Sequence, residues 1–360
     1  MQGANASIIN IKNCSVAGEL DLKGMHCAAF RSNHLQAVGT HQIGPITVEN
    51  DCSFNHATFG ARVQLEVRAK SLNLSGAQFR EGGYIKAEEA RIYLSHVTTG
   101  RHLRIAGGMI KSEEPVIMSL QDADAGSMSF AHVDMSRCMF YGSHDLGEIV
   151  INASARFALT PPGHLKRRCI ADEFAWRLHT KASKSTKWNL LGTEVVGDFQ
   201  AQNEHEDIVS LPPLQASQVA DVYRDLRRSF EGKGNGPGAA DFYYGEMEMR
   251  RHDPERPLSE RLILFFYWIL SGYGLRASFA ILWLIPLMIV GGILMSAFGF
   301  QNNCQPFVDG FVFTLRSIFP GLSHTTDLTL IGKVIEMGTK VLGTMLLALA
   351  VLAIRARVKR

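Results

Sequence analysis

The 360-residue chain lacks most of the signatures of catalysis. Its six cysteines, at 14, 27, 52, 138, 169 and 304, form no CxxC pair and have no histidine at zinc spacing, which removes the usual sequence ground for a structural metal. No GxSxG nucleophile elbow occurs. The 13 histidines are scattered, and the acids beside His205 in NEHED, 203 to 207, come without the i, i+4 histidine pair of a zinc protease. We read them as solvated loop charge, because a metal site needs convergent ligands with supporting groups behind them. The one glycine run that looks like a phosphate loop, GKGNGPGA from Gly232, has helical patterning on both sides instead of the strand and helix of a βαβ unit, so it reads as a turn. No basic start followed by an apolar core opens the chain, so no secretory leader is expected over Met1 to Lys12. The expectation is a protein that is not an enzyme and that uses no cofactor or metal.

Charge is also scarce where it matters most. Ala277 to Phe300 has no charged residue in 24 positions, enough helix at ~1.5 Å per residue to cross a ~30 Å hydrocarbon layer. A second candidate span, 332–354, ends in the uncharged run Val341 to Ile354 but carries Glu336 and Lys340 in its first half. Between the two, Gln301 to Gly332 has Arg316 as its single Lys or Arg. Arg250, Arg251, Arg256, Arg261 and Arg276 precede the first span, and Arg355, Arg357, Lys359 and Arg360 follow the second, which places both termini in the cytoplasm of a multi-pass plasma-membrane protein. Five cysteines then lie on the reducing side, and Cys304, on the far side, reads first as an unpaired thiol, because a disulfide needs a close partner, with a cross-link between subunits as the alternative.

Residues 1–150 hold 13 Lys/Arg and 15 Asp/Glu, a balance of −2, whereas the remainder holds 24 and 19, a balance of +5. The positive excess therefore sits with the membrane part and favours lipid as a partner. No basic, aromatic-studded face points to nucleic acid.

The same 150 residues repeat with a period of five. Phe54, Phe59, Leu74, Phe79, Tyr84 and Leu94 share one phase, and Cys52, Ala57, Leu72, Ala77 and Gly82 stand two residues before members of it. Met128, Val133 and Cys138 are followed at the same interval by Phe130, Met135 and Phe140, and Leu20, Leu22, Met25 and Cys27 form an earlier turn. A period of five suits neither a helix nor a flat strand. It suits a chain that turns a corner every five residues and stacks its coils about 4.8 Å apart, with one apolar and one small residue inward per step. Gln64, Ala69 and Glu89 break the pattern at inward phases.

FNHATFGA, LNLSGAQFREGGY and FAHVDMSRCMFYG in this region resemble the pentapeptide-repeat family. That resemblance implies a right-handed quadrilateral β-helix. Members that mimic DNA need a strongly acidic face, which −2 does not supply.

Helical spacing follows at Ile170 to Lys181, Ser217 to Glu231 and about Ala239 to Arg250, the last two reading as an antiparallel pair similar to one tetratricopeptide-like hairpin, with a loop-rich insert at 182–216. The apolar stretch from Arg261, RLILFFYWILSGYG, is too short to span and rich in aromatics, so it is expected to lie on the cytoplasmic membrane surface. Its Gly272-Tyr273-Gly274 copies the letters of a potassium filter but precedes the first span, and reads as an elbow.

Phe307 to Met337 resembles, in layout, the pore helix, filter loop and inner-helix start of two-span potassium-type channels. LSHTTD stands where TVGYG would be, which argues against potassium selectivity of the usual kind. Candidate pore or filter residues are Thr314, Ser317, Ser323, Thr325, Thr326 and Asp327. Lys333, Glu336, Lys340 and Thr344 fall on one face of the second span. Such a face reads either as the wall of a watery path or as an i, i+4 Glu-to-Lys pair in the headgroup zone.

The whole order of units resembles a group of actinobacterial membrane-associated pentapeptide-repeat proteins, through VDMSRCMFYG, RRCIADEFAWR, YRDLRRSFEG, GAADFYYGEMEMRR, SGYGLRAS and LGTMLLALAVLAIRARVKR. We therefore expect a β-helix over 1–155, a helical linker over 156–256 with a hairpin at 217–250, and a membrane domain over 257–360. The last divides into an interfacial helix 261–271, span 277–300, re-entrant segment 307–327 and span 332–354. The functional expectation is a channel-like protein acting as a homo-oligomer, by likeness a tetramer, with a protein partner on the β-helix; the alternative is a membrane-anchored binding module.

Overall fold

The computed structural model describes residues 5–39, 41–108, 114–161, 166–180, 188, 194, 214–301, 306–319 and 328–358. Two compact units divide between Met249 and Arg250.

In the first unit the chain winds into a β-solenoid of about seven turns whose strands pair in parallel with those of the next coil. Val63 pairs with Gly83 and Gly83 with Leu103, so the step is 83 − 63 = 20 residues, four steps of five. Ser71 over Arg91 and Gln78 over Thr98 repeat that interval. Elsewhere the coil lengthens: Leu103 lies against Met128, 25 residues on, still five whole steps, but between Ile92 over Ile117 and Tyr93 over Ser119 the register slips by one more residue, which puts the later five-residue block out of phase with the central one.

Each regular coil carries three strand runs, for example Val63–Arg68, Ser71–Asn73 and Gln78–Phe79. On the two short runs the five-residue phase holds: Cys52, Phe54, Ala57, Phe59, Leu72, Leu74, Ala77, Phe79, Ile92 and Leu94 are all buried. Phe59 stacks on Phe79 at 5.1 Å, and Phe30 meets Phe54 at 5.3 Å, so the coils are joined by a column of aromatic rings. On the long run the phase gives way to alternation by two. Val63, Leu65 and Val67 point inward with Ile85 and Ala87 above them, and Gln64 faces out. Tyr84, expected inward, is half-exposed, and Glu89 is an exposed corner residue at φ 59°. A flat six-residue strand has side-chain period two, so it cannot keep a five-residue phase across its length. The outer surface is stitched by ion pairs between coils, Arg68 to Glu89 at 2.7 Å and Arg101 to Glu81 at 3.0 Å, each exposed and contributing at most ~1 kcal/mol.

Helices cover the final coil. Residues Ala171–Thr180 form α1, Ala216–Gly232 α2 and Gly236–His252 α3. The last helix of the hairpin begins three residues earlier than expected because Pro237 sits in the first turn of α3, where a missing N–H costs nothing. Phe157 carries the solenoid core into this cap, stacking on Phe140 and meeting Phe230 and Phe242 edge-on. Asp172 accepts the backbone N–H groups of Phe140 (3.0 Å) and Tyr141 (2.9 Å), and Ser229 Oγ donates to Ile149 O at 2.5 Å, so α1 and α2 satisfy the open end of the last coil. The α2–α3 crossing is close because position 245 is glycine: a Cβ there would fall 2.6 Å from the Tyr223 ring.

The second unit contains α4 (Leu258–Ser271), α5 (Ala277–Leu294, continued by a π-turn Met295–Gly299), α6 (Phe307–Ile318) and α7 (Leu330–Val358). Gly272, Tyr273 and Gly274 have φ of 53°, 57° and 73°, forming the elbow between α4 and α5. Ala277–Gly299 and Leu330–Arg355 are long and apolar enough to cross a membrane, and only 22% and 28% of their most apolar stretches are buried within the protein. Most of that apolar surface is left for another apolar medium.

Candidate functional site

The membrane unit is assembled through small residues. A Cβ on Gly291 of α5 would fall 2.7 Å from Thr314 Cγ2 of α6 and 3.0 Å from Thr339 Cγ2 of α7, so all three helices meet at that glycine. A Cβ on Gly310 would fall 2.3 Å from Gly292 O, which sets how close α6 lies to α5. Thr329 ties the start of α7 to the end of α5: its Oγ1 donates to Phe298 O at 2.6 Å and accepts from Gly332 N–H at 2.9 Å.

Phe300 and Leu328 are bridged, so the end of α5 and the start of α7 lie together. From there α6 descends, with Gly310 beside Ser296, Thr314 beside Gly291, and Ile318 beside Gly343. Counted from Arg355 at ~1.5 Å per residue, Gly343 lies ~18 Å along α7, near the middle of a ~30 Å layer. The carboxyl end of α6 thus points into the centre of the bundle's apolar zone.

The sequence-derived candidates fall in three places. Thr314 is enclosed by α5 and α7, its hydroxyl donating to Gly310 O at 2.9 Å. Ser317 is half-buried and donates to Phe313 O at 3.0 Å. Ser323, Thr325, Thr326 and Asp327, like Cys304, lie outside the described residues. On α7 the packed stripe is Gly332, Thr339, Gly343, Leu346, Ala350 and Ala353, while Lys333, Lys340 and Thr344 are exposed and Glu336 is half-buried at the stripe's edge. The polar face is therefore a flank of α7 turned away from its own α5 and α6. Among the described residues the charged ends of Lys333, Glu336 and Lys340 have no hydrogen-bond or ion-pair partner.

A second cluster was missed by sequence reasoning. Glu173, fully buried on α1, accepts from Arg167 Nη2 at 2.7 Å on both oxygens, from Arg177 Nε at 2.9 Å and from the Tyr223 hydroxyl at 2.5 Å. The Tyr223 oxygen in turn accepts from Ile170 N–H and Arg167 Nη1, both at 3.2 Å. Although burial alone would raise it, the two guanidinium groups hold the Glu173 carboxyl down at about 2. Asp172 beside it, with no arginine partner, is pushed up to about 6 by burial. A fully bonded, solvent-free carboxylate at about 2 makes a poor general base at neutral pH. Burial likewise raises the neighbouring Cys169 thiol, which suppresses its reactivity. The cluster locks the helical cap. Its sequence signal was the i, i+4 acid–base pair Glu173 and Arg177 on α1.

No protein-family profile, curated protein or solved structure matches the chain. The resemblances to pentapeptide-repeat proteins and to two-span channels thus gain no support from relatives, and the β-solenoid and the two apolar helices stand on the geometry alone.

Proposed function

We propose that the chain is a multi-pass plasma-membrane protein with both termini in the cytoplasm, in which α6 and α7 of several copies, by likeness four, enclose a path for cations. What supports this reading is a half-span arrangement: Phe300 and Leu328, which flank α6 in sequence, are bridged, and the carboxyl end of α6 lies beside Gly343, well along α7 from that bridge. A helix end of that polarity presents roughly half a negative charge, and in a low-dielectric layer it favours a cation. One protomer supplies too little wall to enclose a path, so the proposal requires a symmetric homo-oligomer. The apolar face of α4, with Leu262, Ile263 and Phe266 exposed, suits a helix lying on the cytoplasmic lipid surface. The solenoid, of the pentapeptide-repeat kind in this proposal, receives a protein partner on its outer faces. Its mixed-sign surface does not suit nucleic acid, and no enzymatic role is proposed.

The competing reading, a membrane-anchored binding module, is favoured by one observation: Thr314 is spent on packing against Gly291 and leaves a hydroxyl fewer for any path. Recording from purified protein in planar bilayers separates the two. The channel reading expects unitary cation currents, and silence across lipid compositions and voltages leaves the anchored module.

A further inference from the structure

Lys333, Glu336, Lys340 and Thr344 occupy a flank of α7 that, among the described residues, its own α5 and α6 leave uncovered. Counted back from Arg355 at ~1.5 Å per residue, Lys340 lies ~22 Å and Glu336 ~28 Å along the helix, so both fall within or at the edge of a ~30 Å layer. Charges at that depth face protein or water, because lipid tails offer them no partner. The flank carries both signs. Glu336 lies ~4.5 Å from Lys333 and ~6 Å from Lys340 along the axis, each about one extended lysine side chain away. A surface with a carboxylate between two ammonium groups is complementary to itself.

We propose that this flank is the contact between copies of the chain, with Glu336 of one protomer paired to Lys340 of the next. The occupant is a second copy rather than a different protein, since the same flank supplies both partners of the pair and every copy in one bilayer presents it at the same height. The two neighbouring faces of α7 are already allotted: the glycine and alanine stripe packs on α5 and α6, and Val334, Met337, Val341, Met345 and Leu352 form an exposed uncharged face suited to lipid. This inference rests on the proposed membrane assembly and names its subunit interface.

The test is charge reversal read as mass in native-lipid particles, where one chain is 39.8 kDa. E336K alone and K340E alone should shift the protein from a multiple of that mass to the single-chain value. E336K/K340E should restore the multiple, and co-expressing the two single variants should recover mixed oligomers from chains that do not assemble separately. An i, i+4 pair within one helix predicts no such cross-rescue. Wild type that is oligomeric but indifferent to all reversals, or single variants that stay monomeric when co-expressed, would overturn the interface. A wild type that is itself monomeric would overturn the assembly reading beneath it.

Discussion

Replacing Glu173 by glutamine is the sharpest perturbation of the first unit. The carboxylate is fully buried, and the side chains of Arg167 and Arg177 are only 4% and 8% exposed, so no water can take over its role. Glutamine keeps the shape but withdraws the charge opposite Arg167, leaving Arg177 with Glu248 at 3.6 Å. Removing one partner of a buried ion pair costs about 3–5 kcal/mol, a large part of a typical domain's 5–15 kcal/mol. The loss is readable by denaturant unfolding followed through tryptophan fluorescence, since Trp176 and Trp188 lie 5.6 and 4.4 Å from the Arg177 guanidinium. A pH series adds an independent check. The Glu173 carboxyl is held at about 2 in the fold against ~4.3 for a free glutamate, so its stabilisation is complete above ~4.3 and drains away as pH falls toward 2. E173Q should both lower the midpoint and flatten the acid limb. An E173Q protein that unfolds within ~0.5 kcal/mol of wild type would refute the view that this cluster locks the cap.

Phe79→Asp should cost several kcal/mol because it buries an unpaired charge among Phe59 and its neighbours, whereas the adjacent, exposed Gln78→Asp should be nearly neutral; equal melting temperatures would contradict the assigned inward phase. Gly291→Leu should lower the melting temperature in detergent by driving a side chain into Thr314 and Thr339, while Gly338→Ala, with nothing within 4 Å, should leave it unchanged or slightly higher. Asp172 is raised to about 6 in the fold, so its contribution is fully present below ~4 and is lost as pH rises through 6; D172N should abolish this part of the difference between denaturation midpoints measured at pH 4.5 and pH 7.

The sequence made the solenoid legible where geometry and period coincide. Phe54, Phe59, Phe79 and Leu94 lie inward as their five-residue phase requires, because short corner-turning runs repeat one orientation per step. Tyr84 and Gln64 misled because they sit on the long run, where alternation by two takes over within the same coil. The apolar helices could be read from composition alone, and the elbow at Gly272 from its place before the first span. The Glu173 cluster was out of reach of periodicity, since Tyr223 joins it from 50 residues away. Which flank of α7 packs on α5 was equally hidden: the glycines and threonines that decide it at 291, 314 and 339 carry no hydrophobic signal of their own.

The central claim, a re-entrant segment between two spans, is tested most directly by which side of the membrane its two ends face. In a Cys304→Ser background, single cysteines replacing Gln301 and Lys333 should both react with an impermeant thiol reagent added to intact cells, and one replacing Lys359 should react only after the cells are opened. Labelling of positions 301 and 333 from opposite sides would mean that α6 crosses the membrane, and would contradict the account.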